Sequence, residues 1–440
     1  MKIIPRNVTD VIDTGYWDFA MYTLEARAIP SVIDGLKPTQ RKLIYAMLTE
    51  HHGKKVKVAD LGGISRYGYH HGEVSAIETA LKMALPWNNN APIFDGHGNF
   101  GSRLVPSTAS PRYIYASLSE NFKRYFSDTE VAPKSPNPEN PEPRYYLPLI
   151  PYMLVNGVAG VSVGFKAEVL PRSIKDVLEA TKSYLKDGAK YIAANKPIKP
   201  TFPSFKGEVI AHSENQWKTR GIIEYVGKYT YEISELPIGY SRETYVTLLN
   251  EMCDKDLIKD YDDNCSKAGF GFSVKVSGSH KTVIDADPYK YFKLDKIHTE
   301  ILTTLGIDGK LRIFNSVAEL VAYFCDFRLI MFGEKIEYDK EKLHKKTVLL
   351  KDKENFIRCV INNEIDFRKT DKAKLLAFIR EKITLEEHGE GFIRIPLYEC
   401  TVDEITKLKA DIALLKDELI ELSAVTRQSL YDSRIAALKA

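Results

Sequence analysis

Near the end of the chain, Ile405, Leu408, Ile412, Leu415, Leu419 and Leu422 step 3-4-3-4-3. That is a heptad seam, and a seam needs a second helix to cover it. From Glu334 to His388 the chain has no Gly or Pro and is rich in Lys, Glu and Leu. A long helix out, a small helical globule, the break "GFIRIP" and a helix back predict an antiparallel coiled-coil arm over 313–440. An ordinary amphipathic helix in a bundle is the alternative reading of the same seam.

The rest of the chain has a different texture. Residues 18–50 follow a helical pattern broken at Pro30 and Pro38, and "KPTQRKLIYAMLTE" reads as a helix with Pro near its start. Leu43, Ala46 and Met47 share one face. Lys37, Arg41 and Lys42 lie N-terminal to them, where a helix presents cations to phosphates. A second helix is expected through "EVSAIETALKMAL", ended by Pro86. The turn-rich stretch after it is expected to become helical again from about Tyr113. Short helices followed by a glycine-rich wing suggest a winged helix-turn-helix module over 1–144. "VAPKSPNPENPEPR" (131–144) is a loop or boundary. Beyond it, alternation in "GEVIAHSE", "GIIEYVGKYTYEISELP" and "GFGFSVKVSG" predicts a mixed α/β domain over 145–312. The fold class is therefore α+β and multidomain.

Composition excludes some classes. Five cysteines without CxxC spacing argue against a zinc site and a disulfide framework, and fit a reducing compartment. The start, "MKIIPRNVTDVIDTGY", lacks a signal-peptide core, so a cytoplasmic location is expected and the Asn7-Val8-Thr9 sequon carries no weight. Residues 145–165 have no charge and are long enough to span a bilayer, but Pro148, Pro151, Asn156 and three glycines interrupt them. Buried strands with a hairpin at Asn156-Gly157 are the expectation, and no membrane span. Net charge is only +3, yet from Arg27 to Glu73 eight Lys/Arg and four His face four acids. That segment is either a polyanion surface or a solvated basic face.

Several motifs invite chemistry. Gly96-His-Gly98-Asn-Phe-Gly101 fits GxGxxG, but no helix opens after it, so a wing loop carrying Arg103 is the better reading. In "GYHHGE", His71 either donates to a phosphate or caps the helix starting near Glu73. Asp285 and Asp287, and Asp260, Asp262 and Asp263, read as surface turns before they read as a Mg²⁺ site. In "SPRYIYAS" (110–117), Arg112 precedes Tyr113. A phenol has a pKa of roughly 10, so it attacks phosphorus only when a cation stabilises its oxyanion and holds the phosphate.

"RAIPSVIDGLKPTQRKLIYAM" (27–47), "GYHHGE" (68–73), "FDGHGNFGSR" (94–103), "SPRYIYA" (110–116) and "LPLIPYMLVNGVAGVSVGF" (147–165) follow in one order. Together with "FPSFKGEV" and "ELPIGYSRETYV", they resemble the DNA breakage–reunion part of type IIA DNA topoisomerases. The length resembles the stand-alone cleavage subunits of T4-type bacteriophages, which implies a host-cell cytoplasmic enzyme. The resemblance implies that Tyr113 attacks DNA to form a 5′-phosphotyrosyl bond, with Arg112, Arg27 and His71 around the scissile phosphate. It implies that Lys37, Arg41 and Lys42 contact DNA, and that Val161 is an apolar wedge between base pairs, smaller than the usual isoleucine. Pro111 departs from the small residue usual there, and Tyr115 is left to packing. It implies a tower domain at 145–312 and a dimerisation globule on the arm.

Neither the acidic Toprim pattern nor an ATPase motif occurs in the sequence. The resemblance therefore implies a separate large subunit that binds Mg²⁺ and hydrolyses ATP, with no metal held by this chain. The expected partners are double-stranded DNA, a second copy and that large subunit, without a membrane. Absence of a wrapping domain favours relaxation and decatenation over supercoiling. A non-catalytic DNA-binding scaffold is the alternative from another class. A tyrosine recombinase needs a His-x-x-Arg before its tyrosine, and none precedes Tyr113.

Overall fold

The computed structural model describes residues 7–364, 370–382, 384 and 389–438. The described residues pack as two units: 7–328 with 435–438, and those within Leu329–Arg434.

In the first unit, residues 8–28 form a helical run (α1) in which α-helical and π-helical turns alternate. Pro38 opens α2 (Pro38–Thr49), because a proline at the first turn removes only an N–H that has no partner. The Gln40 side chain accepts from the Lys37 N–H at 2.8 Å and completes the cap. Leu43, Ala46 and Met47 are buried, as the spacing predicts, and Ile44 is buried with them. β1 (Val56–Lys57), α3 (Glu73–Ala84), β2 (Phe94–His97) and β3 (Tyr115–Leu118) follow, and the sheet order is β1-β3-β2. Tyr115–Leu118 thus differs from the helix expected after Tyr113. Ile114, Ala116 and Leu118 alternate inward, and the central strand of a small sheet satisfies that period. The helix comes later, as α4 (Glu120–Tyr125), capped by Ser119.

The uncharged segment 145–165 also differs from expectation. It holds a short helix, α5 (Tyr152–Asn156), and then the hairpin of β4 (Val158–Ser162) with β5 (Phe165–Val169). The turn is at Val163-Gly164, not Asn156-Gly157. Gly157 has φ +68 and ψ 168, outside the two-residue turn geometry, and serves to end α5. No helix among the described residues is long and apolar enough to cross a membrane.

Two further antiparallel sheets follow. β6 (Glu208–Ser213), β7 (Gln216–Arg220) and β12 (Asp295–Thr299) run in order β12-β7-β6. β8 (Ile222–Gly227), β9 (Thr230–Glu235), β10 (Asp260–Asp263) and β11 (Phe272–Lys275) run in order β10-β11-β9-β8. The core under the second sheet is Tyr231, Ile233, Phe272, Val274, Phe292 and Leu294 against Tyr245, Leu249 and Met252 of a helix over Arg242–Asp254. The Asp260–Asp263 segment is an edge strand, and Asp263 pairs with Arg242.

A helix over Val317–Ile361 runs into the second unit. There Phe356, Ile357, Leu375, Ile379, Phe392 and Leu408 make one core. The last long helix, Val402–Ala424, buries Leu408, Ile412 and Leu415 of the heptad seam. Residues 365–369 and 385–388 of the expected helical globule lie outside the described residues.

Candidate functional site

Tyr113 stands on a tight turn. Its N–H donates to Ser110 O at 2.9 Å, and the Ala59 and Val58 N–H groups donate to Pro111 O and Ile114 O. Ile114 is buried beneath the turn, and Gly98, at φ +120, makes room for it. A Cβ at Gly98 would lie 2.7 Å from the Ile114 side chain. The neighbouring phenol is left 72% exposed. Arg112 is exposed beside it, its guanidinium 5.7 Å from the Tyr113 ring and its Nε donating to Ser110 Oγ at 3.2 Å. Tyr115 differs: it lies in β3, with Lys55 Nζ 4.8 Å over its ring.

A cleft of about 700 Å³ gathers Arg27, Lys37, His71 and Val161 from four elements. Arg27 ends α1. Lys37 precedes α2, and its Nζ donates to Ala159 O at 2.8 Å. His71 lies just before α3, its ring 5.3 Å from Tyr69 in an edge contact. The helix is capped by Gly72 without a side-chain bond, so His71 is not its cap. Burial, then Arg27, then His70 hold the His71 pKa below its ordinary value, which favours the neutral ring. Burial and Lys82 lower Lys37 in the same way. Val161 is 73% exposed on β4 at the cleft. Gly160 beside it lets β4 lie against Ala28 O, where a Cβ has no room. Tyr113 is not among the residues lining this cleft.

Arg41, Lys42 and Arg103 are placed otherwise than expected. Arg41 pairs with buried Asp34 through Nε at 2.7 Å and Nη2 at 3.0 Å. Lys42 spends its three donors on Glu142 Oε1, Asn140 Oδ1 and Tyr67 O. It thereby pins the proline-rich loop 131–144 to α2. Arg103 pairs with Glu235 at 3.0 Å and donates to Leu236 O at 2.9 Å, with Phe205 and Phe270 against its guanidinium. Each cation is neutralised by an acid, for Lys42 and Arg103 one distant in sequence, so none of the three presents a free charge to phosphate. Lys82 was missed. It lies on α3 in line with Ser75 and Thr79, all three lining the cleft, and the four- and three-residue spacing is the signal that would have found it.

Mg²⁺ needs at least one or two carboxylates with oxygens free to bind it, water and phosphate completing its shell. The carboxylate at this cleft, Asp34, has its oxygens taken by Arg41 and by the N–H groups of Leu36 and Tyr146. Among the described residues no three His, Cys, Asp or Glu side chains converge. The donor set here does not fit the metal.

Residues 27–438 match the DNA gyrase/topoisomerase IV family, A-type subunit. The chain belongs to that family. It is 34% identical over 427 residues to the DNA topoisomerase medium subunit of Enterobacteria phage T4, covering 95% of each chain. It is 28% identical over 435 residues to the mitochondrial DNA topoisomerase 2 of Dictyostelium discoideum, covering 94% of this chain and 33% of that one. A crystal structure of the DNA-binding, cleavage and re-ligation domain of Plasmodium falciparum topoisomerase II superposes at TM-score 0.85, with 26% identity, over 97% of this chain and 63% of that one. Membership in the gyrase/topoisomerase IV family decides between the two functional classes weighed on the sequence. The chain is a type II topoisomerase component, not a non-catalytic scaffold.

Proposed function

We propose that this chain cleaves and reseals DNA within an ATP-dependent type II topoisomerase, with Tyr113 as nucleophile. The observation that carries the assignment is a solvent-facing phenol beside a guanidinium, on a turn locked by Ile114 and Gly98, in a chain of this family. The Tyr113 oxygen attacks phosphorus, and the bond from phosphorus to the 3′-oxygen breaks. The phenol loses its proton, the 3′-oxygen gains one, and a 5′-phosphotyrosyl link remains. Reversal reseals the strand without an external energy source, because the phosphodiester energy is kept in the link. Arg112 stabilises the phenolate and the phosphate. Arg27 and neutral His71 donate to phosphate oxygens at the cleft, and Lys37 and Lys82 add charge that an anionic backbone neutralises. Val161, apolar and exposed among cations, is suited to wedge between bases. Arg41, Lys42 and Arg103 shape the surface rather than touch DNA.

In this reading residues 1–144 are a winged-helix module, 145–312 a tower and 313–440 a coiled-coil arm with a dimerising globule. Two copies supply two tyrosines, one per strand. Mg²⁺ and ATP belong to a separate large subunit with Toprim and ATPase modules, and the assembly works in host cytoplasm. The test is a covalent trap. The chain is mixed with supercoiled plasmid, Mg²⁺ and its large subunit, quenched with detergent and digested with protease. Linear DNA carrying protein at its 5′ ends is expected from wild type and Tyr115→Phe, and none from Tyr113→Phe. An adduct persisting in Tyr113→Phe removes the assignment.

A further inference from the structure

A second cavity, of about 510 Å³, lies behind β4. Its walls are largely apolar and aromatic: Trp87 just after α3, Val169 and Leu170 at the end of β5, and Phe202, Ile238 and Tyr240. A concave, aromatic-lined space of this size suits a small ligand. Phe202 and His298 form one end, their rings 5.7 Å apart. Tyr240 stands on the loop before the helix over Arg242–Asp254, held by an edge contact at 5.6 Å with buried Tyr245. The cavity and the cationic cleft share a wall. Asn156, Gly157, Val158 and Ala159 line both. On the cleft side, Lys37 Nζ donates to Ala159 O at 2.8 Å, and Val161 follows two residues later.

The polar groups of the cavity choose its ligand. Its acid and its guanidinium are already matched, Glu168 by Lys166 at 3.2 Å and Arg103 by Glu235 at 3.0 Å. An ionic ligand entering here gives up its hydration and gains no counter-charge. Burial, then Lys296, hold the His298 pKa below its ordinary value against the pull of Glu168, so the ring is neutral at pH 7. Its Nε2 meets Thr219 Oγ1 at 2.9 Å. Among the described residues, His298 Nδ1, the Asn88 amide and the Tyr240 hydroxyl make no hydrogen bond within the chain. Aromatic walls stack a flat ring, and these three groups can read the polar atoms on its edge. We infer that the cavity behind β4 binds an uncharged planar nitrogen heteroaromatic, and that this ligand acts through the shared wall on Lys37 and Val161. A ligand that favours one setting of β4 shifts the strand toward it. The effect on Val161 rests on the wedge role proposed above, whereas the site itself does not.

The experiment titrates benzimidazole into the full-length chain at neutral pH and reads binding by calorimetry. Benzimidazole is expected to bind, and its carboxylate derivative to bind at least about tenfold more weakly. Tyr240→Ala and Phe202→Ala each weaken benzimidazole at least about tenfold, as truncating an aromatic anchor does. Tyr240→Phe keeps the ring against Tyr245 and the melting temperature, and the loss of its hydroxyl weakens binding about two- to tenfold. A DNA duplex added to saturation leaves benzimidazole bound. Its displacement assigns the cavity to a base of DNA and overturns the inference. In the covalent trap with the large subunit, saturating benzimidazole redistributes the cut positions of wild type and leaves those of Tyr240→Ala unchanged. No binding by wild type, equal binding by all the aromatic variants, or bound benzimidazole without effect on the cuts overturns the inference. Failure of the cleavage reading looks different: calorimetric binding persists, and no 5′ adduct forms with or without the ligand.

Discussion

Arg27 and His71 show how a cleft sets the chemistry of one side chain. The His71 pKa lies below 6.5, first through burial, then through Arg27 and His70. The neutral form is favoured in the folded chain, so what neutral His71 contributes is present above its ordinary pKa and persists below it. It is lost as pH falls through the lowered value. Removing a neighbouring cation reverses part of that shift. In Arg27→Ala the His71 pKa, followed by NMR titration, rises toward 6.5 without reaching it, because burial is the larger cause. Arg41 illustrates the opposite case, a cation with no charge to spare. Arg41→Ala leaves the Asp34 carboxylate buried without its guanidinium. Breaking such a pair costs about 3–5 kcal/mol. Urea denaturation should show that loss, and DNA affinity should fall through unfolding and not through a lost phosphate contact.

At the scale of elements, two small turns decide where functional groups point. The turn at 110–114 is held by buried Ile114, which needs the missing side chain of Gly98. Gly98→Val forces a Cβ into φ +120 and against Ile114, a combination of strain and overpacking worth about 2–4 kcal/mol. Its melting temperature drops, and adduct yield falls below that of Tyr115→Phe, which leaves the turn intact. The β4–β5 hairpin is fixed in the same manner by Gly160 against Ala28. The Lys42–Glu142 pair does a third such job, tying loop 131–144 to α2. These are contacts between distant stretches, and each aims a neighbour that faces solvent.

For the whole molecule, the separation of Tyr113 from the cleft has a consequence. Arg27, Lys37 and His71 line one cavity, and the phenol lies outside it in the same chain. The two-copy assembly proposed above predicts that the phenol of one copy completes the cleft of the other. Mixed dimers of Tyr113→Phe with Arg27→Ala should then regain one intact site and nick one strand, where either variant alone gives almost no adduct. Absence of nicking in the mixed dimer, with mixed assembly verified by mass, places both groups in the same copy.

Much of this was legible in the residues alone. The helices α2 and α3 and the helix over Val402–Ala424 are written in local apolar spacing, and each forms where its period predicts. The order of the five motifs carried the family. What local pattern misplaced was the strand Tyr115–Leu118 and the hairpin turn, because pairing with β1 and β2, and the backbone conformation of Gly157, lie outside any short window. The sequence by itself determined which residue types were available for phosphate chemistry: a tyrosine beside an arginine, and cations near the start. Only the tertiary structure decided which cations keep their charge free. Glu142 neutralises Lys42 from 100 residues away and Glu235 neutralises Arg103 from 132. An ion pair is a matter of distance in space and of burial, and neither is a property of sequence separation.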